Sequence, residues 1–307
     1  MYAGAGNFAT STSTSLSQVV SQATTATALA SFADPSAFGA NVTFTATVTS
    51  NGGVPTGAVT LKLGTAILGT RTLSGGHAAF STSALTVGSH DLTATYAGNA
   101  DYTASGSAAL LQKVIKAASS TSVRSSVNPA SFHQSVSFQG SVESATGGVP
   151  TGTITFKNGT TPLGSATLTA GVGSITISTL AVGTRTIRAS YGGNADYDAS
   201  TSAALAQTVH KATTKTAMGS SRNPSKSGQS VTFTATVSTA FGGDPTGPMT
   251  FKDGSVTIGT GPVNATTHKA TFTTTKLAKG THSITADYAG NANFAASSSA
   301  AIKQVVQ

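Results

Sequence analysis

Four side chains have the types and spacing best suited to chemistry: Asn99, Asp101, Asn194 and Asp196. They lie in Tyr96-Ala-Gly-Asn-Ala-Asp-Tyr102 and Tyr191-Gly-Gly-Asn-Ala-Asp-Tyr197. Two oxygen-bearing side chains two residues apart in a loop are what a Ca2+ site begins from, but Ca2+ takes about six to eight oxygens and each loop brings one carboxylate. The third version, Tyr288-Ala-Gly-Asn-Ala-Asn-Phe294, loses even that charge at Asn293. An Asx turn between two strands accounts for the same letters. The expectation is therefore a turn, with no cofactor, and with these four residues kept as weak Ca2+ candidates.

Other chemistry finds less support. Of six histidines, His90 aligns with Arg185 and with His282 in the sister segments. A general base shared by every segment cannot be an arginine in one of them, so exposed histidines at strand ends are expected. Gly-x-Ser-x-Gly, the nucleophile turn of many serine hydrolases, does not occur. With nine acids spread over 307 residues, no glycosidase carboxylate pair is expected. The glycine loops lack the Lys-Ser/Thr of a phosphate loop. Cysteine is absent, which removes disulfides, thiolate metal sites and cysteine nucleophiles. No catalysis is expected.

The elements that hold these loops are repeated. Tyr2, Tyr96, Tyr191 and Tyr288 recur about every 95 residues, and Tyr2-Ala-Gly-Ala-Gly-Asn-Phe8 is a shorter relative of the loop. A period of that length is one small domain per copy, too long for a solenoid or propeller unit. Gly52-Gly-Val-Pro-Thr-Gly57 returns letter for letter at 147–152 and as Gly242-Gly-Asp-Pro-Thr-Gly247. The expected organisation is 1–22 as the C-terminal strand remnant of a preceding copy, then domains at 23–116, 117–211 and 212–307. The chain reads as a piece of something longer.

Within each copy, apolar residues alternate. Val42, Phe44, Ala46 and Val48 face one way and Thr43, Thr45 and Thr47 the other, the period-2 pattern of a half-buried strand. Leu92, Ala94 and Tyr96 share a face, as do their counterparts in the other copies. Turn residues separate about seven such runs: Thr24–Ser31, Asn41–Thr49, Ala58–Leu63, Ile67–Leu73, His77–Thr82, Ser89–Tyr96 and Ala104–Ile115. Strands every 8–12 residues with turns between them signify a β-sandwich. The fold expected is all-β, with three tandem seven-stranded Ig-like sandwiches arranged as a rod through short linkers near 116–119 and 211–214.

Taken together, Asn41-Val-Thr-Phe-Thr-Ala-Thr-Val48, Pro-Thr-Gly, the Thr-Phe-Lys strand, Leu-x-x-Gly and Tyr-x-Gly-Asn resemble the bacterial Ig-like domains. The closest resemblance is to the group 3 type, found in tandem in large bacterial surface and secreted proteins. It covers roughly 24–307 in three copies, with 2–22 similar to the end of a fourth. It implies seven-stranded sandwiches serving as stalk, spacer or adhesion module, and it brings no catalytic residues. One departure is that the family's usual Asp after Tyr-x-Gly is Asn here, at Asn99, Asn194 and Asn291. Cys and Trp, hallmarks of antibody domains, are both missing.

Charged residues make up 8% of the chain and the net charge is +8. The basic residues are dispersed and no aromatics interleave with them, so no nucleic-acid partner is expected. No run of 18 apolar residues exists to span a membrane. The function expected is a non-catalytic spacer or stalk of a cell-surface or secreted multidomain protein, with a contribution to adhesion. The alternative is a carbohydrate- or host-surface-binding module acting through its loops. Expected partners are neighbouring domains of a longer polypeptide, with surface glycans or proteins as further ones, and the chain is expected to be a monomer. The expected location is extracellular or the bacterial cell surface, with the export signal outside this sequence.

Overall fold

The computed structural model describes all 307 residues as strands and loops without a helix. Copy one contains β1 (Thr25–Ser31), β2 (Ser36–Ala37), β3 (Val42–Ser50), β4 (Ala58–Leu63), β5 (Ala66–Thr72), β6 (His77–Thr82), β7 (Gly88–Tyr96), β8 (Ser105–Gly106) and β9 (Leu110–Ile115). One sheet runs β1-β3-β6. The other runs β2-β9-β7-β4-β5, with β8 also on β7. All pairings are antiparallel except β2 with β9. Copy two repeats the arrangement in β10 (Ser119–Ser125) to β18 (Leu205–His210), and copy three in β19 (Thr214–Ser220) to β26 (Ile302–Val306). In copy three a single bridge, Ser225 to Val306, replaces the counterpart of β2. The protein is thus three tandem Ig-like sandwiches.

The alternation read from the sequence places the core. Val42, Phe44, Ala46 and Val48 are buried between sheets with Val59, Leu61, Leu92, Ala94 and Tyr96. Copy two varies this packing. Gly140 stands where copy one has Ala46, because a Cβ there would lie 2.3 Å from Ile154 Cδ1. Ile154 in turn replaces the smaller Val59, so added volume on one sheet is matched by volume removed from the other.

The structure departs from the expected strands in the last of them. The run 104–115 is not one strand but β8 and β9, because Ser107 interrupts the ladder. Its Oγ accepts from the Ala94 amide at 3.0 Å, and its own amide donates to the Ala94 carbonyl. Ser202 and Ser299 repeat this bond on Ala189 and Ala286. The first strand also turns hydroxyls inward: Thr25 and Thr27 both bond Ser105 Oγ, at 2.8 and 2.7 Å. Thr214 and Thr216 do the same with Ser297. The sandwich is closed at this end by hydrogen bonds rather than by apolar contact.

The chain divides into two compact units, Met1–Ala117 and Ala118–Gln307. The first holds copy one together with residues 1–22, which make isolated bridges, Tyr2 to Ser11 and Ala5 to Phe8, and join no sheet. The second holds copies two and three. No helix in the chain is long and apolar enough to cross a membrane.

Candidate functional site

The Tyr-x-Gly-Asn loop sits at one pole of each sandwich, and its chemistry is directed inward. In copy one, Tyr96 Oη donates to the Thr56 carbonyl at 2.6 Å, and Asn99 Nδ2 donates to the same carbonyl and to Thr56 Oγ1. Asn99 Oδ1 accepts from the amides of Asp101 and Tyr102 at 2.9 and 3.0 Å, which is an Asx turn. Tyr191 and Asn194 make the same bonds to Thr151, and Tyr288 and Asn291 to Thr246. Burial pushes the phenols of Tyr96, Tyr191 and Tyr288 above their ordinary pKa, Tyr102 adding to the effect on Tyr96. These tyrosines stay neutral donors that tie the Pro-Thr-Gly loop to the turn.

Of the four weak Ca2+ candidates, Asn99 and Asn194 thus spend their side-chain oxygens on backbone amides. Asp101 is exposed and Asp196 half-buried, each at the third position of its turn. No group of three or more His, Asp or Glu side chains gathers anywhere in the chain.

The aligned basic residues share a role that sequence comparison alone did not reveal. His90 Nε2 lies 2.7 Å from the Thr86 carbonyl, His282 Nε2 lies 2.8 Å from that of Ala278, and Arg185 Nε donates to that of Ala181 at 2.9 Å. Each is a donor that pins the Leu-x-x-Gly loop four residues before it. His90 and His282 are accordingly half-buried rather than exposed. In copy three Asp253 Oδ2 also reaches His282 Nδ1 at 2.6 Å. The Ala278 carbonyl, then Asp253, raise the His282 pKa against the opposing effect of burial.

Gln112, Gln207 and Gln304 are fully buried in the last strands, and the sequence reading passed over them. Gln112 Oε1 accepts from Ser31 Oγ at 2.5 Å while Nε2 donates to the Ala33 carbonyl, joining the two sheets. Ser125–Gln207–Val127 and Ser220–Gln304–Arg222 repeat the arrangement. The available signal was Leu/Ile-x-Gln-x-Val, which ends each of the three copies and occurs a fourth time at 16–20, with the Gln in phase with the apolar residues.

Copies two and three meet through a joint built on the same loop. Phe132, just beyond the dipeptide strand β11 (Ala130–Ser131), stands edge-on to Phe294 with ring centroids 5.5 Å apart. His133 packs against Phe132 at 4.4 Å and faces Gly243, where a Cβ would lie 2.9 Å from the imidazole and 3.0 Å from Phe294. His133 has φ +65°, and Gly39 and Gly228 hold the aligned positions in the other copies, so a glycine conformation is kept here by a bulkier residue. The linker is bonded on both sides. The Phe132 amide donates to the His210 carbonyl, the Ala212 amide to Asn293, the Ala295 amide back to Ala212, and Lys211 Nζ to the Asn291 carbonyl. Ala212 is fully buried and Phe294 is 2% exposed.

Residues 29–115, 122–210 and 218–307 each match the bacterial Ig-like domain (group 3). The chain belongs to this family. Among solved structures it is similar to the fibronectin(III)-like modules of Clostridium thermocellum CbhA, at 18% identity over 61% of this chain and 94% of that one, with a TM-score of 0.26. It is similar to the Escherichia coli adhesin FdeC at 14% identity, over 92% and 96% of the two chains, TM-score 0.28. A third similarity is to E. coli alpha-2-macroglobulin, at 10% identity over 90% of this chain and 24% of that one, TM-score 0.26. At these values no functional argument passes between the proteins. No curated protein sequence matches the chain.

Proposed function

We propose that this chain is a non-catalytic spacer in a bacterial cell-surface or secreted multidomain protein, passing position and force from one neighbouring domain to the next. The observation that carries the reading is the joint between copies two and three. A linker of a few residues is hydrogen-bonded to both sandwiches and flanked by an aromatic contact. A flexible tether between independent binding modules has no use for such bonds, whereas a spacer that must hold direction does.

The polar side chains are absorbed in the same scaffold. Tyr, Asn, Gln and Ser bridge loops and sheets, and no buried side-chain donor or acceptor is left unpartnered to receive a ligand. Of the aromatic positions a glycan would stack on, Tyr197 and Phe294 are buried. Contributions to adhesion would then come from domains the spacer presents.

Single-molecule stretching of the whole chain tests this. Three separate unfolding events are expected, each releasing roughly 30 nm of extended chain for about 95 residues. Extension without resisting peaks, or a glycan or protein ligand whose binding is lost on mutating one pole loop, would overturn it.

A further inference from the structure

The N-terminal pole of copy one has the same build as the socket that receives Phe132 in copy three, yet it is open. The Ala23 amide donates to the Asp101 carbonyl at 2.8 Å and the Thr103 amide to Ala23 at 3.0 Å, as Ala212 bonds Asn293 and Ala295. Gln22 Nε2 donates to the Asn99 carbonyl at 2.6 Å, the place that Lys211 Nζ takes on Asn291 at the same distance. Gly53 lies against Tyr102 as Gly243 lies against Phe294. The incoming chain is therefore already held in the geometry of a filled joint. The side-chain half is not covered: Ala23 and Tyr102 are half-exposed, and a depression of about 640 Å3 opens between Val20 and Tyr102.

The residues leading into this pole indicate what fits it. Leu16-Ser-Gln-Val-Val-Ser-Gln-Ala23 repeats the pattern of Leu205-Ala-Gln-Thr-Val-His-Lys-Ala212, the last strand and linker of copy two. In copy two Val209 is buried; here its counterpart Val20 is almost fully exposed, and so is Leu16. The carbonyl at the position of Ser21 is the one that, as His210, accepts the Phe132 amide.

We infer that the Ala23–Gly53–Tyr102 pole is a socket for the phenylalanine-bearing end of another Ig-like copy, seated as Phe132 is seated on Gly243 and Phe294. The partner is an Ig-like end loop with Phe followed by a residue in the left-handed region, and it docks in one direction. Copy three shows what an end without this plug looks like: Ser227 occupies the aligned position, and its amide still bonds the Gln307 carbonyl at 2.9 Å. The end loop therefore folds with or without the aromatic side chain, and the phenylalanine serves the contact rather than the loop.

This inference rests on the reading of the chain as a serial spacer, and the test separates the two. Residues 118–211 are placed ahead of Ala23 in exchange for 1–22, giving a chain with copy two's end facing the Tyr102 socket. Spin labels go on the added copy at the position of Ser174 and on copy one at Ala79, each through an introduced cysteine. A narrow distance distribution is expected with Phe at the added Phe132 position, and a distribution at least twofold broader with Phe→Ser there, a change that copy three tolerates. Equal widths, or a broad distribution with Phe, would overturn the socket. The same labels across copies two and three in the parent chain act as the control. If that pair is broad, the spacer reading fails as well; if it is narrow while the extended pair is broad, only the socket fails.

Discussion

The N-terminal poles of copy one and copy three are made of the same bonds and differ in what lies on them. Both carry an Asn whose side chain closes an Asx turn and grips the Pro-Thr-Gly loop, and both hold the incoming alanine by two backbone bonds. Copy three adds Phe132 and His133; copy one leaves Tyr102 half-exposed. The pole is thus self-sufficient, and the joint is a separate addition of few side chains. Stability of a copy and coupling between copies are then controlled by different residues.

The largest expected effect comes from removing what the two poles share. Asn99→Ala and Asn291→Ala each delete an Asx turn and a loop bond, leaving backbone groups unsatisfied at about 2 kcal/mol. Hydrogen exchange should show the mutated copy destabilised by a similar amount in both cases. A loss in copy three far exceeding that in copy one would mean that pole and joint are one structure.

Phe132→Ser should act on the joint alone. It removes an aromatic contact and partial burial, for about 1–2 kcal/mol of coupling. In calorimetry the transitions of copies two and three should separate while copy one is unmoved. Gly53→Ala and Gly243→Ala sharpen the contrast. Both force alanine to positive φ, at a cost of about 1 kcal/mol, but Gly243→Ala must also displace His133. It should lower the coupling between copies two and three, whereas Gly53→Ala should change copy one only.

The smallest effect is one of pH. His282 has a raised folded pKa, so its stabilising contribution is complete below the unfolded value of 6.5 and is lost as pH rises through the folded value. Amide protection factors around Asp253 and Ser283, taken against the intrinsic exchange rate at each pH, should fall modestly over that interval. His282→Arg, which installs the side chain that copy two uses at Arg185, should remove the pH dependence. An unchanged pH profile in that variant would assign the effect to another group.

Much of the fold was legible because alternation and copy-to-copy recurrence report the same physics. Val42 to Val48 and Leu92 to Tyr96 must bury one face, and they do in each copy. The Asx turn was legible too, since its letters have few other uses. The split of 104–115 was hidden because Ser107 breaks the ladder with its hydroxyl, and serine is too common here to stand out. Gln112 was hidden because a buried amide looks polar in a pattern read for apolar residues. The joint was hidden for a different reason: Phe132 and Phe294 lie 162 positions apart in sequence, and nothing within one copy shows that they meet.

The central claim is that copies two and three are held in a fixed relation by Phe132 and its socket. The chain has no cysteine, so Ser174→Cys and Thr271→Cys, both at exposed strand positions, allow spin labels to be placed in the 307-residue chain without background. The account predicts a narrow distance distribution in the parent sequence and a broad one in Phe132→Ser. A broad distribution in the parent, or no broadening on removal of the phenyl ring, would contradict it.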